Sequence, residues 1–231
     1  MPKPIWKGYI TFGLVNIPVV LYPAEKKCDI HLKLIDSRDQ SRIRYVRVNE
    51  NTHEEVPWDQ VAKGYEYEEH HYLLLKAEEM KAIAGEKTKR INLEHFVDKN
   101  EVSSMGLDKP YYLVPRRRGN KEYVILREAL KNTQKLGIAK VMIHTRQYLA
   151  AIMPYENALI LNLMRYHQAL RKPSEFELPA DKIKPYKISA QELDNAKQLV
   201  VAMTIAWKPE EYHDEWREAL QRWAENKRDN S

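Results

Sequence analysis

The fold is decided near the amino terminus, where residues 6–22 read WKGYITFGLVNIPVVLY. Apolar side chains occupy every second position in two successive runs, which are Ile10, Phe12, Leu14 and Ile17, Val19, Leu21. Successive side chains of a strand point to opposite faces, so a period of two indicates a strand with one apolar face. The stretch therefore predicts two strands, or one long bent strand, with Pro18 at a bulge or a sheet edge.

The same stretch has to be distinguished from a targeting signal. Lys3 and Lys7 precede an uncharged stretch, an arrangement that superficially resembles a secretory signal. However, Asn16 and Pro18 interrupt the apolar run, and its alternation favours a strand. No other segment approaches the roughly 18 uninterrupted apolar residues of a membrane-spanning helix. We expect a soluble, cytoplasmic protein with no membrane partner.

The strand pattern continues through most of the chain. Further strands are predicted over residues 88–97 and 109–115, and three apolar runs within 138–164 predict a β-meander. A helix is predicted over 123–136, with Gly137 as the residue that ends it. The fold class is therefore mainly β with helices.

Proline marks the boundary of a second part of the chain. Residues 173–188 hold three prolines and several charges and are the best linker in the sequence. They separate a body of residues 1–172 from an arm of residues 189–231.

The arm has the pattern of two amphipathic helices. Ser189 and Glu192 match a capping box, in which the two side chains satisfy each other's exposed amides. One face of the first helix carries Leu193, Ala196, Val200, Met203 and Trp207, and one face of the second carries Tyr212, Trp216, Ala219 and Trp223. Docking of this apolar stripe on the body and docking on a second copy of the protein both remain open.

The distribution of charge says more than its total. The chain has 38 Lys and Arg against 33 Asp and Glu, a formal net charge of +5, which alone raises the odds of a polyanionic partner only slightly. Residues 26–47, however, hold seven Lys and Arg against three Asp. Spaced cations on a strand can follow a phosphate backbone without reading bases, but a basic strand is also a common protection of a sheet edge. The following stretch, residues 54–79, is instead rich in acidic residues.

Patterns for catalysis and for metal or cofactor binding are missing from the sequence. The seven glycines are scattered, so neither a P-loop nor a dinucleotide-binding turn is present. Cys28 is the only cysteine, and His70 and His71 would point to opposite faces of a strand. We predict a non-enzymatic protein with no catalytic residue, no metal site and no cofactor. A hydrolase or nuclease that uses an unrecognised carboxylate cluster is the alternative from another class.

The residues also resemble a known family. Residues 6–19 are similar, nearly residue for residue, to the opening of bacterial Ku proteins. Further similar segments follow in the same order along the chain: Ser41–Tyr45, Glu55–Trp58, Lys63–Tyr67, Lys109–Leu113, Gly137–Lys140, Thr145-Arg146 and Tyr212–Glu215. The resemblance therefore spans almost the whole chain.

The resemblance implies a specific fold and function. The expected fold is a Ku-type β-barrel core with an extended β arch, roughly residues 26–80, which forms a DNA-encircling ring in the homodimer, plus the helical arm. The expected function is sequence-independent binding of double-stranded DNA ends. The ring would recruit an ATP-dependent multidomain DNA ligase for double-strand break repair by non-homologous end joining at the nucleoid. An RNA-binding or structural homodimer without end specificity is the second alternative.

The family's roles carry over to particular residues. The expected phosphate contacts are Lys26, Lys27, Lys33, Arg42, Arg44 and Arg47 in the arch, with Arg146 on the barrel as a further contact. Many family members end in a lysine-rich tail, whereas this sequence ends in Asp229-Asn230-Ser231. Either this member lacks the tail or the chain is truncated, and contacts that depend on a tail are therefore left open.

Overall fold

Seven strands close into a barrel in a computed structural model that describes residues 2–26, 28, 30–84, 88–179 and 186–229. Its strands are β1 Trp6–Phe12, β2 Val15–Pro23, β5 Arg90–Asp98, β6 Leu107–Pro115, β7 Lys135–Ile143, β8 Arg146–Tyr155 and β9 Ala158–Met164. The order around the barrel is β1-β2-β6-β9-β8-β7-β5. Only β1 and β5 pair in parallel, and the other neighbours in the barrel are antiparallel. Closure leaves the sheet without a free edge.

The predicted β-structure at the amino terminus is confirmed as two strands. Phe12 pairs with Val15 across a two-residue turn, in which Gly13 has a φ of 54°. Leu14 lies in this turn and is fully exposed, although the alternation had placed it on a strand. The apolar positions on either side, Ile10, Ile17, Val19 and Leu21, have no exposed surface and form part of the barrel core.

The helix α2, Asn120–Thr133, buries one face against the barrel. Tyr123, Leu126 and Leu130 are its buried side chains. The Tyr123 hydroxyl donates a hydrogen bond to the Leu113 carbonyl at 2.7 Å and accepts one from the Leu159 backbone N–H at 2.6 Å. The helix is therefore joined to the neighbouring strands β6 and β9 by a buried polar group as well as by apolar packing.

The predicted end of this helix is wrong. The left-handed residue that ends α2 is Gln134, with φ 55° and ψ 34°, and the strand β7 begins at the next residue. Gly137 lies inside β7 opposite Phe96, where a Cβ would come within 3.0 Å of the Leu93 side chain. This glycine is needed because a strand and a side chain approach closely there, and not because a helix ends. The meander predicted after it is confirmed as β7, β8 and β9.

Before β5 the chain passes through a long exposed segment, residues 33–89, in which no described residue is buried. It contains the hairpin of β3 Lys63–Glu68 and β4 His71–Leu75, followed by the helix α1 Ala77–Ala84. The described residues of the basic strand expected within 26–48 do not form a regular strand, because they take part only in two isolated bridges, Ile35 to Arg42 and Val48 to Glu55. Ile43 and Val46, which should lie on its apolar face, are also exposed.

The chain forms two units. The first consists of Met1–Cys28 and Lys33–Arg171 and contains the barrel, and the second consists of Asp29–Leu32 and Lys172–Ser231. In the second unit, α3 spans Ala190–Ala202 and α4 spans Glu215–Asp229. The predicted capping box begins α3, because the Ser189 hydroxyl accepts from the Glu192 N–H at 3.2 Å and the Glu192 carboxylate accepts from the Ser189 N–H at 2.8 Å. Within the described residues, no helix is long and apolar enough to cross a membrane.

Candidate nucleic-acid interface

The cations expected at phosphates are exposed wherever the structure describes them. Five of them precede β3, namely Lys26, Lys33, Arg42, Arg44 and Arg47, and Arg146 lies on the barrel. Lys27 is outside the described residues. The arginines at 42, 44 and 47 share one short connection between two turns.

In the first of these turns, the Asp36 carboxylate pairs with another arginine, Arg38. The Asp36 N–H donates to the Ser41 carbonyl at 2.8 Å, and the Asp36 carboxylate accepts from the Arg38 backbone N–H at 2.9 Å. The Arg38 guanidinium also donates to this carboxylate, with its Nη2 at 2.6 Å. The Arg38 side chain beside it lowers the pKa of Asp36, and Asp36 in turn raises the pKa of Arg38. Arg38 is therefore engaged by a carboxylate, although it belongs to the same basic run.

The second turn repeats the construction of the first. The Asn49 N–H donates to the Glu54 carbonyl at 2.9 Å, and the His53 N–H donates to the Asn49 carbonyl at 2.9 Å. The corresponding residues Gln40 and His53 are both left-handed, with φ of 60° and 58°. The two turns, at residues 36–41 and 49–54, flank the connection that carries the arginines. Arg42 and Arg47 therefore each lie close to a turn.

Trp58 belongs to the candidate site, although it was not predicted from the sequence as a site residue. The guanidinium carbon of Arg47 lies 4.5 Å from the centroid of the Trp58 ring, a cation–π contact. The Val56 N–H donates to the Arg47 carbonyl at 2.8 Å, and this bond places Trp58 beside Arg47. Trp58 is 72% exposed. Its signals in the sequence were a large aromatic side chain in a charged stretch and its place in Glu55–Trp58, one of the segments similar to the known family.

Arg146 occupies a different place, at one end of the barrel. It is the first residue of β8 and pairs with Ile143 across the turn from β7. In the same sheet Val141 pairs with Ile91, so this turn lies level with the start of β5, where the chain returns from the exposed segment. The Arg146 guanidinium carbon is 5.4 Å from the Tyr148 ring centroid. Arg146 is thus a second exposed cation that rests on an aromatic ring.

The β3–β4 hairpin contains part of the acidic stretch that follows the basic residues of 26–47. The Glu66 carboxylate accepts from the His70 N–H at 3.0 Å, and its side-chain hydrogen bond with Tyr72 raises the pKa of that tyrosine. Glu68 and Glu69 are exposed, and neither side chain forms an ion pair with a described residue. These two carboxylates therefore provide a matched acidic control for the arginines.

Metal-binding clusters are not found among the residues that the structure describes, where no three His, Cys, Asp or Glu side chains come together. The Nδ1 of His71 is 3.0 Å from the Glu69 carbonyl oxygen, so this ring nitrogen already has a backbone partner. Cys28 is exposed and has no disulfide partner.

The aromatic stripe of the second unit is exposed in the single chain. Trp207 and Tyr212 contact each other with ring centroids 5.0 Å apart. They are nevertheless exposed, as are Trp216 and Trp223 of α4. Both predicted helices form, but they are shorter than the pattern indicates, because α3 ends at Ala202 and α4 begins at Glu215. Met203, Trp207 and Tyr212 therefore lie outside the helices and remain exposed.

A comparison with known families decides the identity of the barrel. The family model of the Ku70/Ku80 beta-barrel domain matches residues 11–195, which is more than half of the chain. This chain belongs to the Ku family. The expected Ku-type fold is confirmed in its barrel and its helices.

Individual Ku relatives match nearly the whole chain. The non-homologous end joining protein Ku of Coxiella burnetii is 51% identical over 225 residues, which cover 97% of this chain and 82% of the relative. The Ku protein of Pseudomonas aeruginosa is 39% identical over 227 residues, or 98% of this chain and 77% of the relative. The Ku protein of Archaeoglobus fulgidus is 36% identical over 225 residues, or 97% of this chain and 88% of the relative. The similarity thus extends through the exposed segment and the second unit.

Proposed function

We propose that this Ku-family chain binds the ends of double-stranded DNA as a homodimeric ring, without reading base sequence, and acts in non-homologous end joining. Residues 26–80 form the arch of the ring, and the barrel forms its base. Sealing a break requires a phosphodiester bond to be made, and we assign that step to an ATP-dependent DNA ligase that the ring recruits. The relatives named for end joining support the pathway.

One observation carries the proposal of a ring: the exposed segment combines cations and large apolar side chains, and none of its described residues is buried. Monomeric proteins rarely expose apolar patches of this extent. The exposed apolar residues include Leu34, Tyr45, Trp58, Tyr65, Tyr72, Leu73 and Leu74. A second copy would cover such a surface, and pairing of two arches would close a ring.

The cations favour a phosphate backbone as the ligand inside that ring. Arg42, Arg44 and Arg47 are exposed, and none of them forms an ion pair with a described carboxylate. Contacts to phosphate position a protein on DNA and carry no base information directly. Binding to any duplex end is therefore the function that these residues support best.

Threading through a ring predicts that the order of addition matters. The substrate is a short linear duplex with biotin at both ends. Streptavidin added before the protein should prevent loading, since a closed ring has no lateral entrance. Streptavidin added after the protein should trap the ring on the DNA, so that it survives a challenge with competitor. Equal binding in both orders, with no trapped complex, would contradict the ring.

A further inference from the structure

A cleft opens in the first unit beside the last turn of α2, where the helix is followed by β7. Its cavity has a volume of about 480 Å³, within the range of roughly 300–1,000 Å³ that is typical of ligand pockets. It is formed by the end of α2, the start of β7, the end of β8 and the connection after β5. The cations proposed to bind DNA do not contribute to it.

The floor of the cleft is apolar. Leu130 of α2 and Leu136 of β7 are only 2% and 8% exposed. Val102, Met153 and Pro154 are half-buried around them. Such a floor favours an apolar side chain of a ligand, because contact between them removes apolar surface of both the ligand and the cleft from water.

The rim of the cleft is basic. Lys99, Lys131 and Lys135 all border it, against a single carboxylate, Glu156. Lys135 is paired with Asp98 at 3.2 Å, and Lys99 donates to the Gln134 amide oxygen. The Lys131 ammonium forms no ion pair with any described residue.

The Gln134 side chain connects the lysine-bearing elements of the rim. Its amide oxygen accepts from Lys99, and its amide nitrogen donates to the Lys131 carbonyl at 2.8 Å. The left-handed backbone of Gln134 allows both contacts next to the end of α2. Gln134 therefore holds the Lys99 ammonium and the Lys131 backbone beside each other at the cleft, which both lysines line.

We propose that this cleft binds an extended acidic peptide of a partner protein. A large apolar side chain of the peptide occupies the floor, and a carboxylate one or two residues away meets Lys99 and Lys131. Opposite charges arranged across an interface in this way fix the register of a ligand and exclude wrong ones. The proposal does not rest on DNA binding, since it uses none of the residues assigned to that function.

The cleft suits a peptide better than a nucleic acid. A phosphate backbone would leave the apolar floor unused and would be repelled by Glu156. The cleft also lies at the far end of β5 from the exposed segment, because Asp98 pairs with Lys135 at one end and Arg90 begins the strand at the other. Eight residue steps at roughly 3.3 Å separate these ends by about 26 Å. A peptide can therefore bind while DNA occupies the ring.

The probe for the test is a phage-displayed library of random 12-residue peptides, selected on the full chain. Recovered peptides are labelled with fluorescein, and their affinity is measured by fluorescence anisotropy on the wild type and on Lys99→Glu/Lys131→Glu. Lys121→Glu is the matched control, because Lys121 is an exposed lysine in the first turn of the same helix. Melting temperature and the affinity for linear DNA are measured for every variant.

We expect the selected peptides to carry Asp or Glu next to Leu, Ile, Phe or Met. Their affinity should fall by about tenfold or more in the double variant and change less than about twofold in Lys121→Glu. Selected peptides without carboxylates, equal binding to the double variant, or no recovered peptide would overturn the proposal. A double variant that instead loses affinity for DNA, or its dimer mass, would assign the cleft to nucleic acid or to a second copy. Either outcome would likewise overturn it.

Discussion

The guanidinium carbon of Arg47 lies 4.5 Å from the centroid of the Trp58 ring, and both residues are exposed. An indole face attracts a cation through its quadrupole and does not neutralise it. The contrast with Arg38 is informative, because the Asp36 carboxylate pairs with that guanidinium at 2.6 Å. Arg47 is therefore restrained while its full charge remains available to a phosphate.

Trp58 should thus act as a positioning residue for Arg47. We expect Trp58→Ala to weaken the binding of linear DNA by about two- to fivefold, which corresponds to about 0.5–1 kcal/mol for an exposed cation–π pair. Trp58→Phe should retain most of the affinity. The slope of log affinity against log salt should stay unchanged in both, because the number of cations is the same. A salt slope reduced by the roughly 0.9 of one lost phosphate contact would contradict this role. Wild-type affinity in Trp58→Ala would contradict it as well.

Arg42 and Arg44 provide the test of phosphate contact. Replacing both with Ala should weaken linear DNA binding similarly for every base sequence. It should also flatten the salt slope by roughly 0.9 per lost contact, or about two units. Dimer mass and melting temperature should remain nearly unchanged, since exposed charges add little stability.

Two control variants separate charge from position in this experiment. Glu68→Ala/Glu69→Ala should not reduce DNA binding, because these acidic side chains are not expected at phosphates. Arg38→Ala should change the slope less than the replacement of Arg42 or Arg44 by Ala, since Asp36 already pairs with the Arg38 guanidinium. If the Arg42/Arg44 variant kept the wild-type slope, Arg42 and Arg44 would not contact phosphate.

The homodimer should be obligate. The exposed segment and the aromatic stripe of the second unit would leave a monomer with large apolar surfaces. Sedimentation at low micromolar concentration should therefore give about twice the chain mass of 27.3 kDa. A well-folded monomer at that concentration would remove the basis for a ring.

Tyr123 should be a strong determinant of barrel stability. Tyr123→Phe leaves the buried Leu159 N–H and the Leu113 carbonyl without their partner, so we expect a loss of about 1–3 kcal/mol in the free energy of unfolding. Urea unfolding at neutral pH measures it. A loss below about 0.5 kcal/mol, smaller than a typical hydrogen bond contributes, would show that the bridge is dispensable.

The same tyrosine predicts a pH dependence. Burial raises the pKa of Tyr123 above its ordinary value of 10.0. A group with a raised pKa contributes stability below its unfolded pKa and loses that contribution as the pH rises through the folded pKa. Unfolding free energy should therefore fall above pH 10 more steeply in the wild type than in Tyr123→Phe. Parallel pH profiles for the two proteins would be inconsistent with this origin.

The barrel could be predicted from the sequence because its strands have a buried face. Ile10, Ile17 and Val19 alternate in the sequence and are completely buried in the fold. Where a turn or a pairing overrides the local pattern, prediction fails. Gly137 follows helix-forming residues and was predicted to end a helix, but the pairing of β7 with β5 places it inside a strand.

The candidate site was predictable in composition and not in geometry. The basic run of residues 42–47 is visible in the sequence, yet its apolar positions are exposed and no regular strand forms. Alternation indicates two faces, but it does not say whether the apolar face is covered by the same chain. The contact of Trp58 with Arg47 depends on the turn between Asn49 and Glu54, a relationship that no periodicity encodes.

The most direct test of DNA-end binding compares two forms of one DNA. A gel shift is run with a linear duplex and with the same sequence as a covalently closed circle, at physiological salt. We expect stable complexes on the linear form alone, and recovery of binding when the circle is cut once at any site. Equal affinity for the closed circle and the linear duplex would contradict it.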